Sequence, residues 1–153
     1  MFQKPRRNFL KYFHKPRITI DSNTKLTFGE FGFLSLQNDL ISKKQIEAIR
    51  IIITRNIRKR RVLKGHKTKQ RGWLKLKAYY FVTKTKKGSK SRMGKGKGTI
   101  DTYCFPVKHN DCFLELKNVS FLLAHKLLRK VSFKLGFKIA LIDKQGNIYK
   151  IGK

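Results

Sequence analysis

The chain has 153 residues, 40% of them hydrophobic, and a formal net charge of +30 from 38 Lys+Arg against 8 Asp+Glu. That length suits one domain, and the apolar fraction suffices for a core under a charged shell. No run approaches the roughly 18 apolar residues that a bilayer span requires, so the charge points to a polyanion, either nucleic acid or an anionic membrane surface.

Residues 1–24 read as a basic arm, with Lys4, Arg6, Arg7, Lys11, His14, Lys15 and Arg17 interleaved with Phe9, Tyr12 and Phe13. Cations beside aromatics bind phosphate and stack on bases. Residues 25–36 read as a strand with Leu26, Phe28, Phe31, Phe33 and Leu36 as its apolar set; Gly29 and Gly32 mark a bulge or a close backbone approach. Ser42-Lys43-Lys44-Gln45 is a capping box. The helix it opens runs to about Arg61, with Ile46, Ile49, Ile53 and Ile57 as core stripe and Arg50, Arg55, Arg58 and Lys59 off that stripe as candidate RNA contacts.

A basic linker is expected over 62–71 and a half-buried strand over 73–82. The stretch that follows, Gly88 to Gly98, holds four glycines, four cations and no acid. Glycine lets another surface approach the backbone, and the cations match phosphate, so it reads as a loop built to enter a polyanion. It is no nucleotide phosphate loop: Gly-x-x-x-x-Gly-Lys-[Ser/Thr] cannot be laid over it. A strand over 100–107, with Pro106 hinting at an edge or bulge, a turn at His109-Asn110-Asp111 and a strand over 112–117 read as a hairpin. Asn118 can cap a second helix to about Leu135, with Phe121, Ala124, Leu128, Val131 and Leu135 as core face; Lys126, Arg129, Lys130 and Lys134 lie opposite, and Gly136 sits at a C-cap position. Residues 137–142 form a strand, Lys144-Gln145-Gly146 a turn, and 147–151 a short last strand.

This order predicts an α+β sandwich: two helices on an antiparallel or mixed sheet. The domain plan is an arm over 1–24, one α+β domain over 25–142 and a hairpin tail over 143–153. The acids are spread thinly and form no close pair at a motif spacing, while the histidines lack a recognisable nucleophile partner, so neither catalysis, a metal nor a cofactor is expected. Cys104 and Cys112 flank the predicted hairpin turn, where a cross-strand contact is open to them; the plainer expectation is two reduced, half-buried residues. Cations on every element, rather than on one amphipathic segment, fit a protein surrounded by folded RNA. Lysine exceeds arginine 27 to 11, and Phe, Ile, Asn and Tyr are plentiful, the mark of A/T-rich codons.

Three stretches carry a resemblance: Leu26-Thr27-Phe28-Gly29-Glu30-Phe31-Gly32-Phe33; Ile41-Ser42 through Gln45-Ile46-Glu47-Ala48 to Thr54-Arg55; and Arg92-Met93-Gly94-Lys95-Gly96-Lys97-Gly98. With them in order, the chain resembles the L-sixteen family of large-subunit ribosomal proteins, in its bacterial and organellar form. The resemblance implies a structural part of the large subunit that binds ribosomal RNA near the central protuberance, beside neighbouring ribosomal proteins, and helps shape the transfer RNA sites. Arg92, Met93, Gly94, Lys95, Gly96, Lys97 and Gly98 would be the loop facing the peptidyl-transferase region, and Arg50 and Arg55 helix cations facing RNA. The chain departs from the family in having Ile51 where a second arginine is frequent, in a longer and more basic 62–71 linker, and in residues 143–153. No room for a transit peptide is expected, which with the A/T-type composition favours a mitochondrion-made protein over a bacterial one. The alternative is a free-standing basic RNA-binding or RNA-modifying factor.

Overall fold

The computed structural model describes residues 25–64, 71–74, 82–88, 94 and 96–150. Among the described residues, eight strands and two helices run in the order β1 (Phe31–Ser35), β2 (Asp39–Ser42), α1 (Lys43–Lys64), β3 (Arg71–Leu74), β4 (Val82–Lys86), β5 (Thr99–Val107), β6 (Cys112–Lys117), α2 (Phe121–Ser132), β7 (Ile139–Asp143) and β8 (Ile148–Lys150). The α+β class is as expected, and every strand pair among the described residues is antiparallel. The single expected sheet is instead two. One has the order β3-β6-β1-β7-β8, the other β2-β5-β4.

The division corrects two readings. The two ends of the strand expected over 73–82 lie in different sheets: β3 pairs with β6 in the first, β4 pairs with β5 in the second, and residues 75–81 lie outside the described residues. Residues 112–117 do not return onto 100–107. β6 pairs with β1 and β3, because Asn110, at φ 61, turns the chain out of one sheet into the other. Cys104 and Cys112 therefore stand in different sheets, both buried and not disulfide-bonded. Pro106 pairs with Leu40 of β2, beyond the last described β4 pair at Val82 and Cys104, so it sits where β5 has a described partner on one side only.

α1 starts as the capping box dictates. The Ser42 N–H donates to Gln45 Oε1 at 2.9 Å, and the Gln45 N–H to Ser42 Oγ at 3.3 Å. Gln45 Nε2 also donates to Lys134 O, tying this end to the turn after α2. Ile46, Ile49 and Ile53 are buried, with Ile57 partly so. The helix continues to Lys64, three residues beyond Arg61 and into the expected linker.

α2 buries Leu123, Ala124, Leu127, Leu128 and Val131. Phe121, expected in the core, is 41% exposed because it stands at the helix's first position, on the rim. Ser120 rather than Asn118 is the N-cap; Asn118 takes φ 56 to turn the chain out of β6. Gly136 is no C-cap. α2 ends at Ser132, and short turns from Lys134 N to Val131 O and from Leu135 N to Ser132 O carry Leu135 and Phe137 into the core.

The main core joins Phe33, Leu114, Leu116 and Leu141 to the helices' apolar faces. Leu34, Cys112 and Ile142 form a smaller cluster, against which Leu26 packs. Adjacent residues Phe33 and Leu34 enter different clusters, as strand alternation requires, so the first sheet is covered on both faces. Only 31–35 of the expected 25–36 strand is extended; Phe28 is 64% exposed.

Candidate nucleic-acid interface

One carboxylate gathers three successive backbone N–H groups of segment 25–30. Glu115 lies mid-β6 and is fully buried. Its Oε1 accepts the Thr27 N–H at 2.9 Å; its Oε2 accepts those of Phe28 at 2.6 Å and Gly29 at 2.8 Å. Three converging backbone donors stabilise a buried charge. Gly29 here and Gly32 in β1 are close-approach sites: a Cβ on Gly29 would stand 2.8 Å from Leu116 O, and one on Gly32 2.7 Å from Cys112 Sγ. Sequence reading missed Glu115, whose one signal is an acid inside the apolar run Cys112–Leu116.

Of the cations expected to meet RNA, those of the arm (Lys4, Arg6, Arg7, Lys11, His14, Lys15 and Arg17) lie outside the described residues, as do Arg92, Met93 and Lys95 of the loop. Arg58 and Lys59 belong to α1 by backbone. Arg50 and Arg55 are exposed. Arg50 grips Glu47, its Nη2 2.6 Å from Oε1 and its Nε 3.1 Å from Oε2. That hydrogen bond holds the Glu47 carboxyl below the usual range and pushes the Arg50 guanidinium up.

The glycine-rich loop joins β4 to β5, which pair directly; its base closes at Lys86 opposite Thr99. Gly98 sits so tightly there that a Cβ would stand 2.5 Å from Lys86 O. Gly94 and Gly96 take φ +91 and +79, the left-handed region that glycine enters without steric cost. Lys87 Nζ donates to Gly94 O at 2.6 Å, crossing the loop's two arms. Lys97 is half-buried with its Nζ shut off from solvent, so its ammonium is not on the surface. Lys84 and Lys86 are exposed and two apart on β4, with Lys87 next. The sequence reading placed none of these three among its contacts; the alternation Val82-Thr83-Lys84-Thr85-Lys86 was the available signal.

The described site has cations on α1 and β4, and a closed hairpin base from which the glycine-rich loop starts and to which it returns. It has no acid–base pair and, among the described residues, no cluster of metal-ligating side chains. The ribosomal protein L16p/L10e family matches residues 3–142. The chain belongs to that family. Relatives agree in kind: the large ribosomal subunit protein uL16 of Borrelia duttonii (strain Ly) is 36% identical over 118 residues, 77% of this chain and 78% of that protein. The same figures hold for uL16 of Borreliella burgdorferi (strain ATCC 35210) and of Borrelia hermsii (strain HS1).

Proposed function

We propose that this chain is a structural constituent of the large ribosomal subunit, binding ribosomal RNA through its arm and α1, with the loop at 92–98 facing transfer RNA near the peptidyl-transferase region. The observation that carries the reading is the family match over 3–142 on a chain of net charge +30. The hairpin base at Lys86 and Thr99 supports a projecting loop, and Gly94 and Gly96 supply backbone without side-chain bulk. The mechanism is electrostatic and architectural: cations neutralise phosphates where RNA segments converge, and the chain performs no chemistry itself. Neighbouring ribosomal proteins are its other partners. A mitochondrial home, expected from the A/T-type composition, draws no support from the bacterial relatives.

The test is translation with large subunits carrying Arg92→Ala, or with Lys95 neutralised. The expected result is normal incorporation with slowed elongation; unchanged elongation by fully incorporated variants would contradict a loop facing transfer RNA.

A further inference from the structure

The family match ends at residue 142, yet the first sheet does not. Asp143 to Asn147 form a tight turn: the Gly146 N–H donates to Asp143 O, the Asp143 N–H to Asn147 O, and Gly146 takes φ +90. The turn folds β8 back onto β7 in the register Ile142–Ile148, Leu141–Tyr149 and Ala140–Lys150. β8 is the end of the sheet, and among the described residues nothing pairs with its outer side. Antiparallel pairs alternate between hydrogen-bonded and non-bonded positions. With Asp143 and Asn147 bonded, the backbone groups of Ile148 and Lys150 face outward.

Apolar side chains flank this edge on both faces, with charged ones added on one. On the helix face, Tyr149 meets Phe121 edge-on with ring centroids 4.9 Å apart, and Phe121 stacks on His125 at 6.2 Å. Leu122, the residue after Phe121 in α2, is 76% exposed. On the opposite face, Ile148 is half-exposed and lines an open pocket of about 490 Å³ with Lys25, Leu26, Ile142, Asp143 and Lys144. A strand added along β8 would set alternate side chains against Tyr149 and Phe121 on one side and into the pocket on the other. This is how edge-strand recognition combines backbone affinity with side-chain specificity.

We propose that the outer edge of β8 docks an extended polypeptide segment of another protein, apolar and acidic in composition. Alternating edge N–H and C=O groups at strand spacing match a polypeptide backbone donor for acceptor, a repeat that a sugar-phosphate backbone lacks. The exposed aliphatic side chains of Leu122 and Ile148 likewise favour protein over RNA. Lys25 and Lys144 against Asp143 in the pocket, with Lys150 on the strand, leave an excess of positive charge that an acidic segment complements. The proposal rests on the chain's place in the large subunit.

The test uses purified large subunits carrying the full chain, compared with the free chain. Amide exchange at Ile148 and Lys150 is expected to slow by about a hundredfold or more in the subunit. A carbodiimide should couple Lys144 or Lys150 to an Asp or Glu of another protein, and Ile148→Glu or Leu122→Glu should reduce that coupling at least several-fold without loss of the chain from the subunit. Equal exchange in both states, coupling only to carboxylates of this same chain, or ultraviolet cross-links from Tyr149 to RNA alone would overturn it. A chain absent from the subunit would overturn the ribosomal reading itself, and this one with it.

Discussion

Gly29 and Glu115 are fitted to each other in two ways. The Gly29 N–H donates to Glu115 Oε2 at 2.8 Å, and a Cβ on Gly29 would stand only 2.9 Å from the Glu115 Cβ. Removing the side chain lets the backbone come close enough for the carboxylate to collect three N–H groups in a row. This pair fixes where segment 25–30 lies against β6.

Glu115→Gln keeps the shape but replaces one accepting oxygen with a donor aimed at backbone N–H groups. Hydrogen bonds to a buried charge are worth about 1.5–3 kcal/mol each, so the variant is expected to lose about 2–3 kcal/mol of folding stability. Urea unfolding of the purified chain checks this; a midpoint unmoved from wild type would mean that the segment is held by other contacts.

The loop's glycines differ in what they do. Gly98→Ala forces a Cβ against the Lys86 backbone, and overpacking of this kind costs about 1–3 kcal/mol. Gly88 has open space around its Cβ position, so Gly88→Ala is the control and should leave stability unchanged. Thermal unfolding of both variants separates a hairpin base that must stay closed from one that tolerates opening.

Glu47→Gln releases Arg50 from its carboxylate partner. Both side chains are at least half-exposed, so the thermal midpoint should not move. If α1 faces RNA, affinity for ribosomal RNA should rise a few-fold at low salt, with the gain fading as salt screens it. Equal affinities in a filter-binding titration would place Arg50 away from phosphate.

Burial pushes the Cys104 thiol up. The folded state then holds its proton at a pH where the unfolded chain has lost it, so stability is fully present below the ordinary thiol range and falls as pH rises through it. Unfolding midpoints across the alkaline range should drop more steeply for the wild type than for Cys104→Ala. Parallel slopes would mean that the thiol ionises alike in both states.

Local signals in this sequence translated directly. Ser42 and Gln45 lie within one turn of each other, and their side chains close the box with no help from the rest of the fold. The isoleucine stripe of α1 succeeded for the same reason. What failed depends on distant partners. The run 100–117 looks like a hairpin because neighbouring strands usually pair, but the left-handed turn at Asn110 sends β6 to β1, whose sequence lies some eighty residues earlier. Gly136 looks like a C-cap until Leu135 and Phe137 are seen to be drawn into the core. Glu115 needed the partner segment, 86 residues away, before an acid in an apolar strand made physical sense. The candidate interface was legible as charge and glycine, while its assignment to a β4–β5 hairpin, and the inward turn of Lys97, required the fold.

The central claim is membership of the large subunit, and the most direct measurement is sedimentation of a lysate with detection of this chain before and after a high-salt wash. Co-sedimentation with the large subunit through the wash is the predicted result. A chain found free, or on membranes, would contradict the account and leave a basic α+β domain whose polyanion is something else.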